Sequence, residues 1–220
     1  KDLYENGVRR INVSLDTLDP TKYNNITRRG DLKKVLDGIY SAINEKIKVK
    51  INIVALKNFN ENEFNKIFLW CASHKIDLTF IEVMPMGETE QHRFNQFLPL
   101  DEIRNKLINN FNLTPSKYNT GGPSRYLYSE KYKINIGFIT PLSHNFCSNC
   151  NRIRITCTGR LYMCLGQDNH IDFKKLLKED YSNIEINKLI DKAMTLKPQA
   201  HNFVIEKNSK PYLQRFMNTT

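Results

Sequence analysis

The sequence predicts an α/β fold built on parallel strands, and three observations carry that expectation. Arg9-Arg10-Ile11-Asn12-Val13-Ser14-Leu15-Asp16 alternates apolar and polar residues as a strand does. Val49–Leu56 and Leu78–Met84 read as two further strands. Helical spacing fills both gaps, and strand–helix–strand–helix–strand at these lengths calls for crossover helices between parallel neighbours. Three strands are too few for such a sheet, because parallel strands are normally covered on both faces and belong to larger sheets or barrels. The chain is therefore expected to be the later part of a larger α/β unit.

In chain order, Asp2–Asn6 reads as the last turn of a helix with Gly7 as its terminator. After the first strand, Leu32, Val35, Leu36, Ile39 and Ile43 mark a helix at about 31–45. Asn60-Glu61-Asn62-Glu63 resembles a capping box opening a helix that carries Phe64, Ile67, Phe68 and Cys71. Cys71 lies in that apolar stripe and is read as core. After about residue 95 the pattern changes. Pro99–Phe111 reads as a helix, Gly121-Gly122-Pro123 as a turn, and Arg125–Tyr128 and Lys133–Ile139 as strands. Tyr126, Tyr128 and Tyr132 are read as strand packing. Residues 172–196 read as two short helices before a polar tail.

The 220 residues suffice for one sizeable domain or two modest ones. Thirty-three Lys and Arg against 23 Asp and Glu give a net charge of +10, which favours a polyanionic partner, although a merely basic surface accounts for it as well. No basic run reaches the length of a nucleic-acid-binding tail, so a nucleic-acid partner is not expected. No apolar stretch approaches the roughly 18 residues that span a membrane, and Lys1–Glu5 has no signal-peptide core. The expected compartment is the cytoplasm, or an organelle if a targeting segment lies upstream.

Four of the five cysteines, Cys147, Cys150, Cys157 and Cys164, fall in one window, which reads as a metal site. Cys147-Ser-Asn-Cys150 lets two thiolates from one turn reach one centre. A hairpin around Thr158-Gly159 would carry Cys164 back beside them. Alternation places Arg152, Arg154 and Thr156 on one strand face and sends Ile153 and Ile155 into the core. Two arginine forks on one face suit phosphate oxygens. Three or four cysteines could hold a structural zinc, and three could hold a [4Fe–4S] cluster with one iron open. Spacing alone puts zinc slightly ahead. Cys157 is read as a small buried residue rather than a ligand. His144 is read as a surface or neighbouring group, not a ligand.

Phe146-Cys147-Ser148-Asn149-Cys150-Asn151-Arg152-Ile153-Arg154, with Cys164 after thirteen intervening residues, resembles the GTP 3′,8-cyclases of molybdenum cofactor biosynthesis, the molybdenum cofactor biosynthesis protein A family of radical S-adenosylmethionine (SAM) enzymes. Arg10–Asp16, Val49-Lys50-Ile51-Asn52 and Phe80–Gly87 support the resemblance, which runs the length of the chain. It implies that residues 1–95 are the C-terminal part of a partial TIM-type (βα) radical SAM barrel. Residues 96–220 would be a C-terminal α+β domain with a Cys-ligated iron–sulfur cluster.

The resemblance also implies chemistry. One [4Fe–4S] cluster cleaves SAM to a 5′-deoxyadenosyl radical, and a second, three-cysteine cluster binds GTP through its open iron. The product is 3′,8-cyclo-7,8-dihydro-GTP. By motif, Cys147, Cys150 and Cys164 would ligate the GTP-side cluster, which reverses the preference for zinc. Arg152 and Arg154 would hold the triphosphate or assist the reaction, Ile153 would offer backbone contact, and Lys50 would contact GTP. Ser14 and Met84 would contact SAM. A homodimer is expected. The family's Cys-x3-Cys-x2-Cys motif is absent from these residues, and its Gly-Gly ending is replaced by Met217-Asn218-Thr219-Thr220. The sequence is thus expected to be part of a longer enzyme and not to generate the radical alone. The competing reading is a zinc-stabilised Cys-rich module that binds nucleic acid or protein.

Overall fold

The computed structural model describes residues 1–84, 93–174, 182–201 and 203. Pro85-Met86-Gly87, part of the helical stretch after residue 172 and the Met217–Thr220 ending lie outside the described residues. The chain divides into two compact units, Lys1–Val83 with Asn95–His144, and Met84–Phe94 with Asn145–Thr220.

The first unit is built on a six-stranded mixed sheet. Helix α1 (Asp2–Glu5) ends at Gly7, whose φ of +91° is the left-handed conformation that the sequence assigned to it. Strand β1 (Arg10–Ser14) follows, then α2 (Pro20–Thr27) and α3 (Leu32–Asn44). Helix α2 was missed, although its start carries a plain signal. Asp19 caps it, accepting from Thr21 N and Lys22 N, and Pro20 takes the first turn.

Strand β2 (Lys48–Ala55), α4 (Phe64–Ser73) and β3 (Asp77–Glu82) complete the expected alternation. After a short α5 (Arg93–Gln96) come α6 (Leu100–Phe111), β4 (Thr114–Pro115), β5 (Arg125–Ser129) and β6 (Ile134–Ile139). The sheet order is β1-β2-β3-β6-β5-β4, with β1, β2, β3 and β6 mutually parallel. Strands β5 and β4 close it antiparallel. Residues 96–144, placed by the sequence with the later segment, thus supply strands to the same sheet as β1 to β3.

Register sorts the side chains of this sheet into two faces. Val13, Ile51, Leu78, Ile136 and Leu127 stand in one transverse row, and Ile53, Phe80 and Phe138 in the next. Both rows belong to the main core, together with Leu32 and Ile39 of α3, Ile67 and Phe68 of α4, and Ile103 and Leu107 of α6. A period of two then forces Ser14, Asn52, Thr79, Gly137 and Tyr126 into a row on the opposite face.

The expected capping box at 60–63 does not form. The N-cap of α4 is Glu63, which makes no side-chain capping bond. Its carboxylate accepts instead from Thr17 Oγ1 at 2.7 Å and Lys22 Nζ at 2.6 Å. Asn60 is fully buried and stitches three segments together. Its amide donates to the carbonyls of Asp16 at 2.8 Å and Val54 at 2.9 Å, and its Oδ1 accepts from Leu56 N at 2.9 Å. Asn60→Ala should leave two partly buried carbonyls and a buried N–H without partners. A loss of about 2–4 kcal/mol is expected in urea denaturation, and a loss below about 0.5 kcal/mol would contradict this account of the loop.

The second unit holds a small antiparallel sheet, β7 (Arg154–Ile155), β8 (Arg160–Tyr162) and β9 (His170–Asp172), and helix α7 (Asn183–Thr195). A full Ser182–Glu185 capping box starts α7. Its residues Ile186, Leu189 and Ala193, at helical spacing, pack with Leu161, Met163, Ile171 and Phe173 as a second core. Among the described residues, no helix is long and apolar enough to cross a membrane.

Candidate iron–sulfur and nucleotide site

The cysteine window is shaped by two turns. A single 3-10 turn, Cys147–Asn149, carries the first pair, with Cys150 N donating to Cys147 O at 3.0 Å. The predicted hairpin forms around Thr158-Gly159. Arg154 pairs with Tyr162 and Ile155 with Leu161, and Gly159 takes φ +80°. A Cβ at Gly159 would also meet Lys174 N at 3.2 Å, so glycine is required there twice over. Thr156 Oγ1 accepts from Arg160 N at 3.0 Å and shares a hydrogen bond with Thr158 Oγ1 at 2.8 Å, which ties the turn. Cys164 follows two residues after β8.

Cys147, Cys150 and Cys164 are partly buried free thiols, and Cys157 is exposed in the hairpin turn. The expectation that Cys157 is a small buried residue therefore fails, because a two-residue strand leaves the turn in solvent. The same shortness corrects the isoleucines. Ile153 is 42% exposed and Ile155 67% exposed, so neither enters a core. Arg152 is exposed and Arg154 half-buried. Burial, followed by the like charge of Arg152, pulls the Arg154 guanidinium below its ordinary pKa, while the Cys150 and Cys164 thiolates act in the opposite direction. Both arginines and two of the three cysteines therefore share one electrostatic neighbourhood.

Among the described residues, no three His, Cys, Asp or Glu side chains stand together as ligands of a single ion. A structural zinc takes thiolates on one metal ion, and a [4Fe–4S] cluster takes them at separate irons. Three free thiols flanked by cations have the donor chemistry such a cluster requires. Cys71 behaves as expected. It is fully buried, and burial, then the nearby Asp77, push its thiol pKa well above the ordinary value.

In the first unit, Lys50 and Ser14 lie on the polar face of the sheet, while Met84 is partly exposed just beyond β3. Lys50 is only 8% exposed, and its Nζ lies 3.3 Å from Tyr126 Oη. Burial raises the phenol's pKa, but the hydrogen bond with Thr120 and the Lys50 charge are among the influences that outweigh it, so Tyr126 ends below its ordinary value. Tyr126 is thus more than strand packing. Asn52 Oδ1 and Thr79 Oγ1 are buried on this face without a hydrogen-bond partner among the described residues. A Cβ on Gly137 would fall 2.2 Å from Ser124 Oγ and 2.9 Å from Thr79 Oγ1, so the gap at Gly137 is filled by polar neighbours. Buried polar atoms lacking partners are costly unless a ligand or water completes them. Asn52, Thr79 and Tyr126 are polar residues of this face that the sequence reading did not single out. The signal was polar residues alternating through strands that a parallel sheet would otherwise bury on both faces.

His144 is an exposed surface residue, its Nε2 2.8 Å from Asp101 Oδ2, as its position suggested.

Two family models match the chain, Molybdenum Cofactor Synthesis C over residues 76–203 and the Radical SAM superfamily over residues 1–71. A protein of Brucella ovis (strain ATCC 25840 / 63/290 / NCTC 10512) named GTP 3′,8-cyclase is 48% identical over 220 residues, all of this chain and 64% of its own length. One of the same name from Rhizobium etli (strain CIAT 652) is 48% identical over 221 residues, again 100% of this chain and 64% of the relative. The chain thus spans 64% of the length of the curated relatives it matches. With the first of these models covering more than half of its residues, the chain belongs to the Molybdenum Cofactor Synthesis C family.

Proposed function

We propose that the chain is the GTP-binding part of a radical SAM GTP 3′,8-cyclase, which converts GTP to 3′,8-cyclo-7,8-dihydro-GTP in molybdenum cofactor biosynthesis. The observation that carries this reading is the half-buried Arg154, four residues after Cys150 and paired across the hairpin with Tyr162, two residues before Cys164, with Arg152 adding a second cation. Cys147, Cys150 and Cys164 would hold a [4Fe–4S] cluster, which when bound supplies an open iron as a Lewis-acid contact for GTP. Arg152 and Arg154 present guanidinium forks to the triphosphate and to charge that develops during reaction, and Ile153 contributes backbone.

Lys50 is a second GTP contact. Its ammonium is buried beside a phenol rather than a carboxylate, which leaves its charge available to an anionic ligand. Ser14 and Met84 contact SAM. The unpartnered Asn52 and Thr79 oxygens favour a polar ligand over that face. The SAM-cleaving cluster draws its ligands from outside these residues, since the Cys-x3-Cys-x2-Cys motif is not among them. In this reading residues 1–95 hold the later strands of a partial barrel, residues 96–144 extend the same sheet, residues 145–220 carry the cluster, and the working enzyme is a cytoplasmic homodimer.

Arg154→Ala tests the substrate assignment. In an anaerobic GTP titration of the iron-loaded chain, affinity for GTP should fall roughly 10- to 100-fold, the range expected for a charge-assisted pair of hydrogen bonds. Unchanged affinity would remove Arg154 from the phosphate site.

A further inference from the structure

The stretch after α7 returns to the cysteine window. Lys197 Nζ donates to the carbonyl of Arg152 at 2.8 Å and to that of Met163 at 2.7 Å, and it reaches Cys150 Sγ at 4.0 Å. The two carbonyls belong to different arms of the site. One lies two residues after Cys150 and the other immediately before Cys164. Farther on, the backbone N–H of His201 meets Cys147 Sγ at 3.5 Å. Space for this return is kept by Gly166, where an added Cβ would stand 3.0 Å from His201 Cβ and 3.1 Å from Phe203 Cζ.

An ammonium has three donors and no acceptor, and here all three are directed, two at carbonyls and one at a sulfur. An ordinary solvated lysine on a helix end would not need two main-chain carbonyls from separate arms. We infer that Lys197 is a positioning residue for the cysteine centre, joining the Cys150 arm to the Cys164 arm and setting the reduction potential of the cluster they hold. The inference rests on the reading that these cysteines carry an iron–sulfur cluster. Its physical basis is charge. A thiolate-ligated cluster gains negative charge on reduction, and a cation against one thiolate favours the reduced form. Net charge and hydrogen bonds to sulfur are among the levers that set such potentials.

The test compares the anaerobically reconstituted wild type with Lys197→Gln and Lys197→Arg, measuring iron and sulfide content and then the potential by electron paramagnetic resonance titration. Glutamine can still donate to the carbonyls but has no charge, so iron content should stay at the wild-type level. The ratio of reduced to oxidised cluster at a fixed potential should fall about tenfold, a shift of about 59 mV to more negative values for a one-electron couple. Lys197→Arg should recover most of that shift. A wild-type potential in Lys197→Gln would overturn the inference and leave the cluster reading standing. So would a shift in Lys197→Arg as large as that in Lys197→Gln. Failure of the wild type to take up iron would overturn the cluster reading itself, and the inference with it.

Discussion

Cys164→Ala is expected to abolish iron and sulfide uptake in anaerobic reconstitution, whereas Cys157→Ala keeps both at the wild-type level. The difference follows from where the hairpin puts each thiol. Cys157 lies in the β7–β8 turn and is exposed. Cys164 lies past the far end of β8, partly buried, beside the carbonyl that Lys197 grips. Its thiolate and that of Cys150 act together on Arg154. With only Cys147 and Cys150 left, a cluster would have ligands from a single turn, and open irons are readily lost. Equal loss of iron in the two variants would instead restore a four-cysteine site.

The second large effect is expected at Glu82, the last residue of β3, which is only 1% exposed. Its carboxylate organises the loop after β6. Oε2 accepts from Leu142 N at 3.0 Å and Ser143 N at 3.1 Å, and Oε1 accepts from the Ser143 hydroxyl and from Leu100 N at 3.4 Å. Those bonds offset the cost of burying a carboxylate. Glu82→Ala strands the buried Leu100 N–H and three partly buried donors of the loop, and a cost of about 3–5 kcal/mol is expected. For a chain of this size that is roughly 10 °C in melting temperature. Glu82→Gln should cost nearly as much, because an amide turns an N–H group toward donors. A shift of less than about 2 °C in either variant would contradict the assignment of this loop's anchor.

The strands and helices of the first unit were legible because hydrophobic period and burial agree there. Ile51, Leu78 and Ile136 face the helices that the apolar stripes predicted. The cysteine hairpin was legible from Thr158-Gly159, whose left-handed glycine the structure uses. What escaped depends on distant partners. Asn60 looks like a helix cap until Asp16 and Val54 claim its amide. Ile153 and Ile155 look buried by alternation until the strand proves to be two residues long. Lys197 lies far along the chain from the carbonyls it holds, and no local pattern marks it. The polar row of Ser14, Asn52, Thr79 and Tyr126 emerges only when register sets five strands side by side.

The central claim is that Cys147, Cys150 and Cys164 hold an iron–sulfur cluster that receives GTP, and anaerobic iron and sulfide analysis followed by GTP titration tests it most directly. The expected result is a brown, air-sensitive protein with roughly four irons and four sulfides per chain, whose paramagnetic resonance spectrum changes on adding GTP. A colourless protein with one tightly held zinc, indifferent to GTP, would contradict it.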